Sequence, residues 1–161
     1  MALKPGKAAP DFQLTTTDGK RLSLSEALAG GPVLLAFFKV TCPTCQYTFP
    51  FLERLHQQLS GVRIWGIVQD SAQDGARFAS NFVVTFPILV DGRNYPVSNA
   101  YGLAHVPTLF LIKSDGCIEI ASEGFVKTDL AAMQKSLAAS LSTAPPALFL
   151  PTERVPEYKP G

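Results

Sequence analysis

The sequence has 161 residues, 47% of them hydrophobic, and 14 Lys+Arg against 13 Asp+Glu give a formal net charge of +1. That is the length of one domain with ample apolar material for a core, and it holds no basic run or acidic block. Nucleic acid and an anionic membrane surface are therefore not expected partners. No stretch approaches the roughly 20 apolar residues of a membrane span, and Met1–Lys7 lacks the apolar run of a secretory signal. The expected location is the cytoplasm, or the periplasm for a chain trimmed of its signal. Three cysteines (Cys42, Cys45 and Cys117) are too few for a disulfide scaffold, and two of them stand in C-x-x-C spacing.

In chain order, Phe12–Leu14 and Leu22–Leu24 alternate apolar and polar around Asp18-Gly19, which predicts a hairpin ahead of the main fold. Ser23 with Glu26 fits a capping box for a short helix ending near Gly30-Gly31. Val33–Phe38 is an apolar run without polar interruption, the pattern of a strand buried on both faces of a parallel sheet. From Pro43 a helix should run to about Leu59, with Pro50 kinking or breaking it two turns in. Val62–Val68 reads as a second buried strand. Asp70 or Ser71 should cap a helix running through Phe82.

Phe86–Val90 is a short strand, followed by a brief helix that stops at Gly102. Thr108–Ile112 is another apolar strand, and Ser114-Asp-Gly116 turns it into Cys117–Ile120. Thr128 or Asp129 should open a last helix with Leu130, Met133, Leu137 and Leu141 on one face. The order implies an α/β domain over residues 1–142, a mixed central sheet flanked by helices. Residues 143–161 hold five prolines and should form an extended tail, with Leu148-Phe149-Leu150 docking on the body or on a neighbouring subunit.

Cys42-Pro43-Thr44-Cys45 follows the central strand and opens a helix, where orphan N–H groups and the positive end of the helix dipole favour a thiolate. Pro43 suits the first helical position because its missing donor costs nothing there. Cys45 lies under the same turn, close enough to release a mixed disulfide formed on Cys42. At the entrance to the third strand, Val106-Pro107-Thr108 suits a cis bond that presents the Val106 backbone to an extended substrate; an ordinary strand-start proline is the alternative.

Taken together, these residues resemble the thioredoxin-like family, most closely its redoxin (AhpC/TSA-type) and TlpA-type branches. The resemblance runs from Ala9 to Leu141 through Ala9-Pro-Asp-Phe12, Thr17-Asp-Gly-Lys20, Val33–Phe38 into Cys42-Pro-Thr-Cys45, Pro50, Phe86–Asp91, Tyr101-Gly102, Val106–Ile112 and Ser114-Asp-Gly116. It implies a thioredoxin fold, a cis-proline at Pro107, Cys42 as attacking thiol and Cys45 as resolving thiol. It implies no cofactor, and protein or peptide disulfides and dithiols as partners, with an upstream thioredoxin-type reductant among them. The sequence departs from the family at Thr41, where a tryptophan is usual, and at Ala36 and Thr48, where relatives place a carboxylate. Peroxiredoxins carry Pro-x-x-x-Thr-x-x-Cys; aligned on Cys42 those positions are Leu35 and Lys39.

Thiol–disulfide exchange is thus the leading reading. A thiol peroxidase using Cys42 and a non-catalytic redox-sensing binding module are the alternatives. Lys39 could favour the thiolate or be a solvated rim charge, and His105 could tune the site or be a surface histidine beside it. Cys42, Cys45 and His105 could in principle share a metal, but without a second Cys/His pair no metal is expected. Cys117 reads as a bystander on the polar side of its strand. Tyr47, Phe49 and Phe51 read equally as docking face or core. The sequence leaves the oligomeric state open.

Overall fold

The computed structural model describes residues 1–161. The chain begins with β1 (Gln13–Thr15), β2 (Arg21–Ser23) and α1 (Leu24–Leu28), then β3 (Val33–Phe38) and α2 (Pro43–Gln58). It continues through β4 (Arg63–Val68), α3 (Ala72–Asn81), β5 (Ile88–Val90) and α4 (Pro96–Ala100). β6 (Thr108–Ile112), β7 (Ile118–Glu123), β8 (Phe125–Val126), α5 (Lys127–Ser140) and β9 (Tyr158–Lys159) complete it.

The central sheet has the order β5-β4-β3-β6-β7. β3, β4 and β5 are parallel, while β6 and β7 run antiparallel to their neighbours. All six residues of β3 are buried because both faces of the sheet are covered. Alternate side chains feed two cores, as the period of a strand requires. Leu34, Ala36 and Phe38 pack with Phe49, Leu52 and Leu55 of α2 and Met133 and Leu137 of α5. Val33, Leu35 and Phe37 pack with Leu24 of α1, Trp65, Tyr101 and Phe110. Gly66 in β4 faces the first of these cores and fits only without a side chain: a Cβ there would lie 2.7 Å from Ile88 Cδ1 and 3.2 Å from the Phe38 and Phe49 rings.

Four expectations are corrected. Pro50 does not break α2, which runs uninterrupted from Pro43 to Gln58; buried Phe49, Phe51 and Leu52 pin the helix on both sides of the proline. The last helix opens at Lys127, not at Thr128 or Asp129, and its N-cap Val126 has no side-chain acceptor to offer. The Lys127 N–H instead donates to the Glu157 carbonyl at 3.0 Å, and the Asp129 carboxylate accepts from Ser122 Oγ. Leu141 is the exposed C-cap of α5 rather than part of its buried face. The strand that follows the Ser114–Gly116 turn extends past Ile120 to Glu123 and leads into β8.

The proline-rich segment 143–161 lies on the body. Leu148 is 3% exposed within the core that α2 and α5 share, and the Phe149 ring packs tilted against Phe51 at 5.1 Å between centroids. The Arg54 guanidinium grips Glu153 through both carboxylate oxygens (2.7 and 2.9 Å) and donates to the Leu148 carbonyl at 2.8 Å. Beyond Val155, which packs against the same core, β9 pairs antiparallel with β8. Leu148→Ala should therefore cost about 2–5 kcal/mol in urea unfolding, the range for a buried leucine; an unaltered midpoint would mean the segment is undocked in solution.

Arg54 and the Leu150 N–H bring the Glu153 carboxyl down to about 2 from its ordinary 4.5. A folded value below the unfolded one stabilises fully above pH 4.5 and is lost as pH falls towards 2. Glu153→Gln should lower stability at pH 7, and the gap to the parent protein should close below pH 4.5 in urea melts across pH.

Candidate active site

The site lies where β3 hands over to α2. Asp70, just past the end of β4, accepts from the Val40 N–H at 2.8 Å, and the Gln46 side chain donates to the Val40 carbonyl at 2.9 Å. These two bonds fix the Lys39–Thr41 loop. Cys42 then becomes the N-cap of α2, with extended backbone and Pro43 directly after it. In place of the usual capping oxygen, the Cys42 sulfur accepts the Cys45 N–H at 3.1 Å. A sulfur in that position gains a backbone donor and the positive end of a 16-residue helix.

Cys42 is partly exposed, whereas Cys45 is fully buried in the α2 core. Burial, and then the hydrogen bond with the Cys42 sulfur, push the Cys45 thiol well up. The two sulfurs therefore differ in kind: one is partly exposed and accepts a backbone N–H at the start of the helix, the other is buried behind it and disfavoured as an anion. Across from them the Val106–Pro107 bond is cis, and the Val106 carbonyl stands 3.6 Å from Cys42 Sγ.

Lys39, Cys42, Pro43, Tyr95, His105 and Val106 are among the residues lining a cavity of about 460 Å³ at this opening. Lys39 is exposed, its ammonium 5.8 Å from the Tyr95 ring centroid. His105 is half exposed, with Nε2 3.5 Å from a Glu123 carboxylate oxygen. Thr41 is exposed on the loop, and Thr44 donates from Oγ1 to the Pro160 carbonyl at 2.6 Å. Cys42, Cys45 and His105 are not gathered into a metal-ligand set. Phe49 is core, but Tyr47 is only partly buried, edge-on to Phe125 at 5.1 Å and covered by the Lys159 ammonium at 5.0 Å.

No carboxylate stands behind Cys45. Ala36 and Thr48 are both fully buried, and the Thr48 hydroxyl donates to the Thr44 carbonyl at 2.7 Å. The one buried acid of the chain, Asp91, is taken up by the Val97 and Ser98 N–H groups and the Ser98 hydroxyl at the start of α4. Leu35 is core and Lys39 bears no hydroxyl, so neither can hold a peroxide in the way the peroxiredoxin motif does.

Three contributors were not read from the sequence. Asp70 had a signal, since an acid just past a buried strand sits beside the end of the neighbouring one. Glu123 and the Pro160-Gly161 end of β9 had none, because their places depend on how β8 leaves the sheet.

Residues 5–121 match the AhpC/TSA family. The chain belongs to that family. Within it, the chain is similar to the thiol-disulfide oxidoreductase ResA of Geobacillus thermodenitrificans, 35% identical over 121 residues, 73% of this chain and 68% of that protein. ResA of Bacillus subtilis is 34% identical over 118 residues, 71% of this chain and 65% of that protein. Among solved structures, the fold is similar to a DsbE-type candidate thiol:disulfide interchange protein of Chlorobium tepidum, at TM-score 0.76 and 26% identity over 87% of this chain and 99% of that one. The thioredoxin domain of a thiol-disulfide oxidoreductase from Bacteroides vulgatus shares the fold at TM-score 0.73 and 20% identity, over 84% of this chain and 98% of that one. The thioredoxin fold is thus established for this AhpC/TSA-family chain.

The asymmetry of the two sulfurs is directly measurable. Brief iodoacetamide treatment of the reduced native protein should label Cys42 and leave Cys45 unmodified until denaturant is added, as read by peptide mass spectrometry. Equal labelling of both would contradict the burial of Cys45.

Proposed function

We propose that this chain is a thiol–disulfide oxidoreductase that exchanges disulfides through Cys42 and Cys45. The observation that carries the reading is the cap geometry. An outward sulfur accepts the Cys45 N–H and faces Val106, with a neutral thiol buried directly behind it. Similarity to proteins named thiol-disulfide oxidoreductase supports it.

In the reducing direction, the Cys42 thiolate attacks one sulfur of a substrate disulfide. A Cys42–substrate S–S bond forms, the substrate S–S bond breaks, and one substrate thiolate departs. Until then, the Cys42 sulfur is one of the influences that keep the Cys45 thiol protonated. Once bonded to substrate, that sulfur is neutral, and the cost of ionising Cys45 falls. The departing thiolate or a water at the opening takes the proton, since no carboxylate is placed to do so. Cys45 then attacks Cys42, the second substrate thiolate leaves and takes up a proton, and a Cys42–Cys45 disulfide remains. Two electrons and two protons have passed to the substrate. The same steps in reverse oxidise a dithiol. A thioredoxin-type dithiol is the matching upstream reductant, returning Cys42–Cys45 to the reduced state by the same exchange.

Cys45→Ser should trap a mixed disulfide through Cys42 when the reduced protein meets a protein disulfide, and Cys42→Ser should trap none. Both are read on non-reducing gels with mass spectrometry. A Cys45→Ser protein that alkylates normally at Cys42 yet captures no disulfide partner would overturn the reading.

A further inference from the structure

Residues 158–161 lie along the approach to the dithiol. β9 pairs antiparallel with β8 in the register Phe125 to Lys159 and Val126 to Tyr158. From there the chain runs past α2, where Thr44 donates to the Pro160 carbonyl, and reaches the Val106–Pro107 peptide. Gly161 is so close to that peptide that a Cβ would fall 2.3 Å from the Val106 oxygen. On the other side of the track, Gly124 has φ +77°, and a Cβ there would meet the Lys159 carbonyl at 2.6 Å. Glycine on each side lets two backbones approach as closely as strands in contact.

The hold on this stretch differs from the hold on the residues before it. Leu148 is buried, Phe149 and Val155 pack on the core, and Arg54 clamps Glu153. By contrast Tyr158, Pro160 and Gly161 are exposed, and the stretch is held by backbone pairing, the Thr44 hydroxyl and the Lys159 ammonium over the Tyr47 ring. All but the Lys159 contact read main chain rather than side chains. Any extended strand could reproduce them.

We propose that β8, Thr44 and the Val106 peptide form a docking track for an extended polypeptide strand beside a substrate cysteine, and that residues 158–161 occupy this track until a substrate strand replaces them. This rests on the reading of Cys42 as the attacking sulfur. The partner it fits is a protein segment that is unfolded or extended around its disulfide, engaged by strand addition. A small disulfide reaches the partly exposed Cys42 sulfur through the adjoining cavity, which Val106 and Gly161 also line, and needs no strand pairing with β8 to do so.

Removing Tyr158–Gly161 leaves Leu148, the Arg54–Glu153 clamp and the Glu157 carbonyl at α5 in place. It should raise kcat/KM for reduction of insulin disulfides about five- to tenfold, the worth of roughly one net hydrogen bond in competition. The reaction of Cys42 with dithiobis(nitrobenzoate) should stay near the parent rate. Unchanged or lowered insulin turnover in the shortened protein would overturn the proposal.

A second measurement uses the full chain and needs no turnover. A peptide bearing a thionitrobenzoate-activated cysteine is loaded onto Cys42 of Cys45→Ser. Deuterium exchange of the Lys159 amide, which the register places opposite Phe125 in a hydrogen-bonded pair, should then accelerate; an amide still protected would overturn displacement. Insulin turnover absent from both proteins would count against the oxidoreductase reading alone, and the amide exchange would then decide the track.

Discussion

Everything at the site depends on a sulfur standing where a helix would ordinarily be capped by oxygen. The N-cap position supplies one donor, the Cys45 N–H, to whatever atom Cys42 presents. The sulfur satisfies that donor and stands at the positive end of the helix dipole. For this to hold, α2 must be immobile against the sheet, and β3 must end at a fixed place. The first is provided by Phe49, Leu52 and Leu55, fully buried against Leu34, Ala36 and Phe38. The second is provided by Asp70 and Gln46, which take the two polar groups of the Val40 backbone. Pro50 is tolerated inside this helix for the same reason: packing on both sides outweighs one missing donor.

The same packing creates the difference between the cysteines. The three-residue step from Cys42 to Cys45 carries the second thiol from the cap into the apolar core. There, burial disfavours its anion more than any other influence does. A dithiol with two equivalent sulfurs would have no preferred order of attack. In the proposed exchange the order follows from this difference in depth together with the cap at Cys42.

Much of this was legible in the sequence, because it rests on local pattern. The uninterrupted apolar run Val33–Phe38 specified a doubly covered strand, and Cys-Pro after it specified a helix start. What was not legible depends on contacts between distant segments. The start of α5 is hidden from local pattern because its cap is the carbonyl of Glu157, thirty residues later, and not a side chain of its own. Thr128 and Asp129 have the right chemistry for a cap, but Asp129 is engaged by Ser122 instead. Composition marked residues 143–161 as an irregular extension, and prolines do exclude regular helix there. Composition could not show that Arg54, on the exposed side of α2, carries the fork that anchors Glu153, or that Lys159 ends up over Tyr47.

The position of Tyr47 connects the anchoring of that segment to the chemistry. A partly buried aromatic one turn into α2, beside the dithiol, is the kind of surface on which a protein substrate would seat an apolar side chain. In this chain Phe125 lies edge-on to it and the Lys159 ammonium lies over the ring. Both contacts come from the β8–β9 ribbon, so the ribbon and the aromatic cannot be altered independently. Lifting β9 exposes the Tyr47 ring and the Val106 peptide together, one apolar and one polar. An incoming strand would find both at once. On that proposal, selectivity for extended protein segments over small disulfides would follow from a single displacement, without a dedicated specificity pocket.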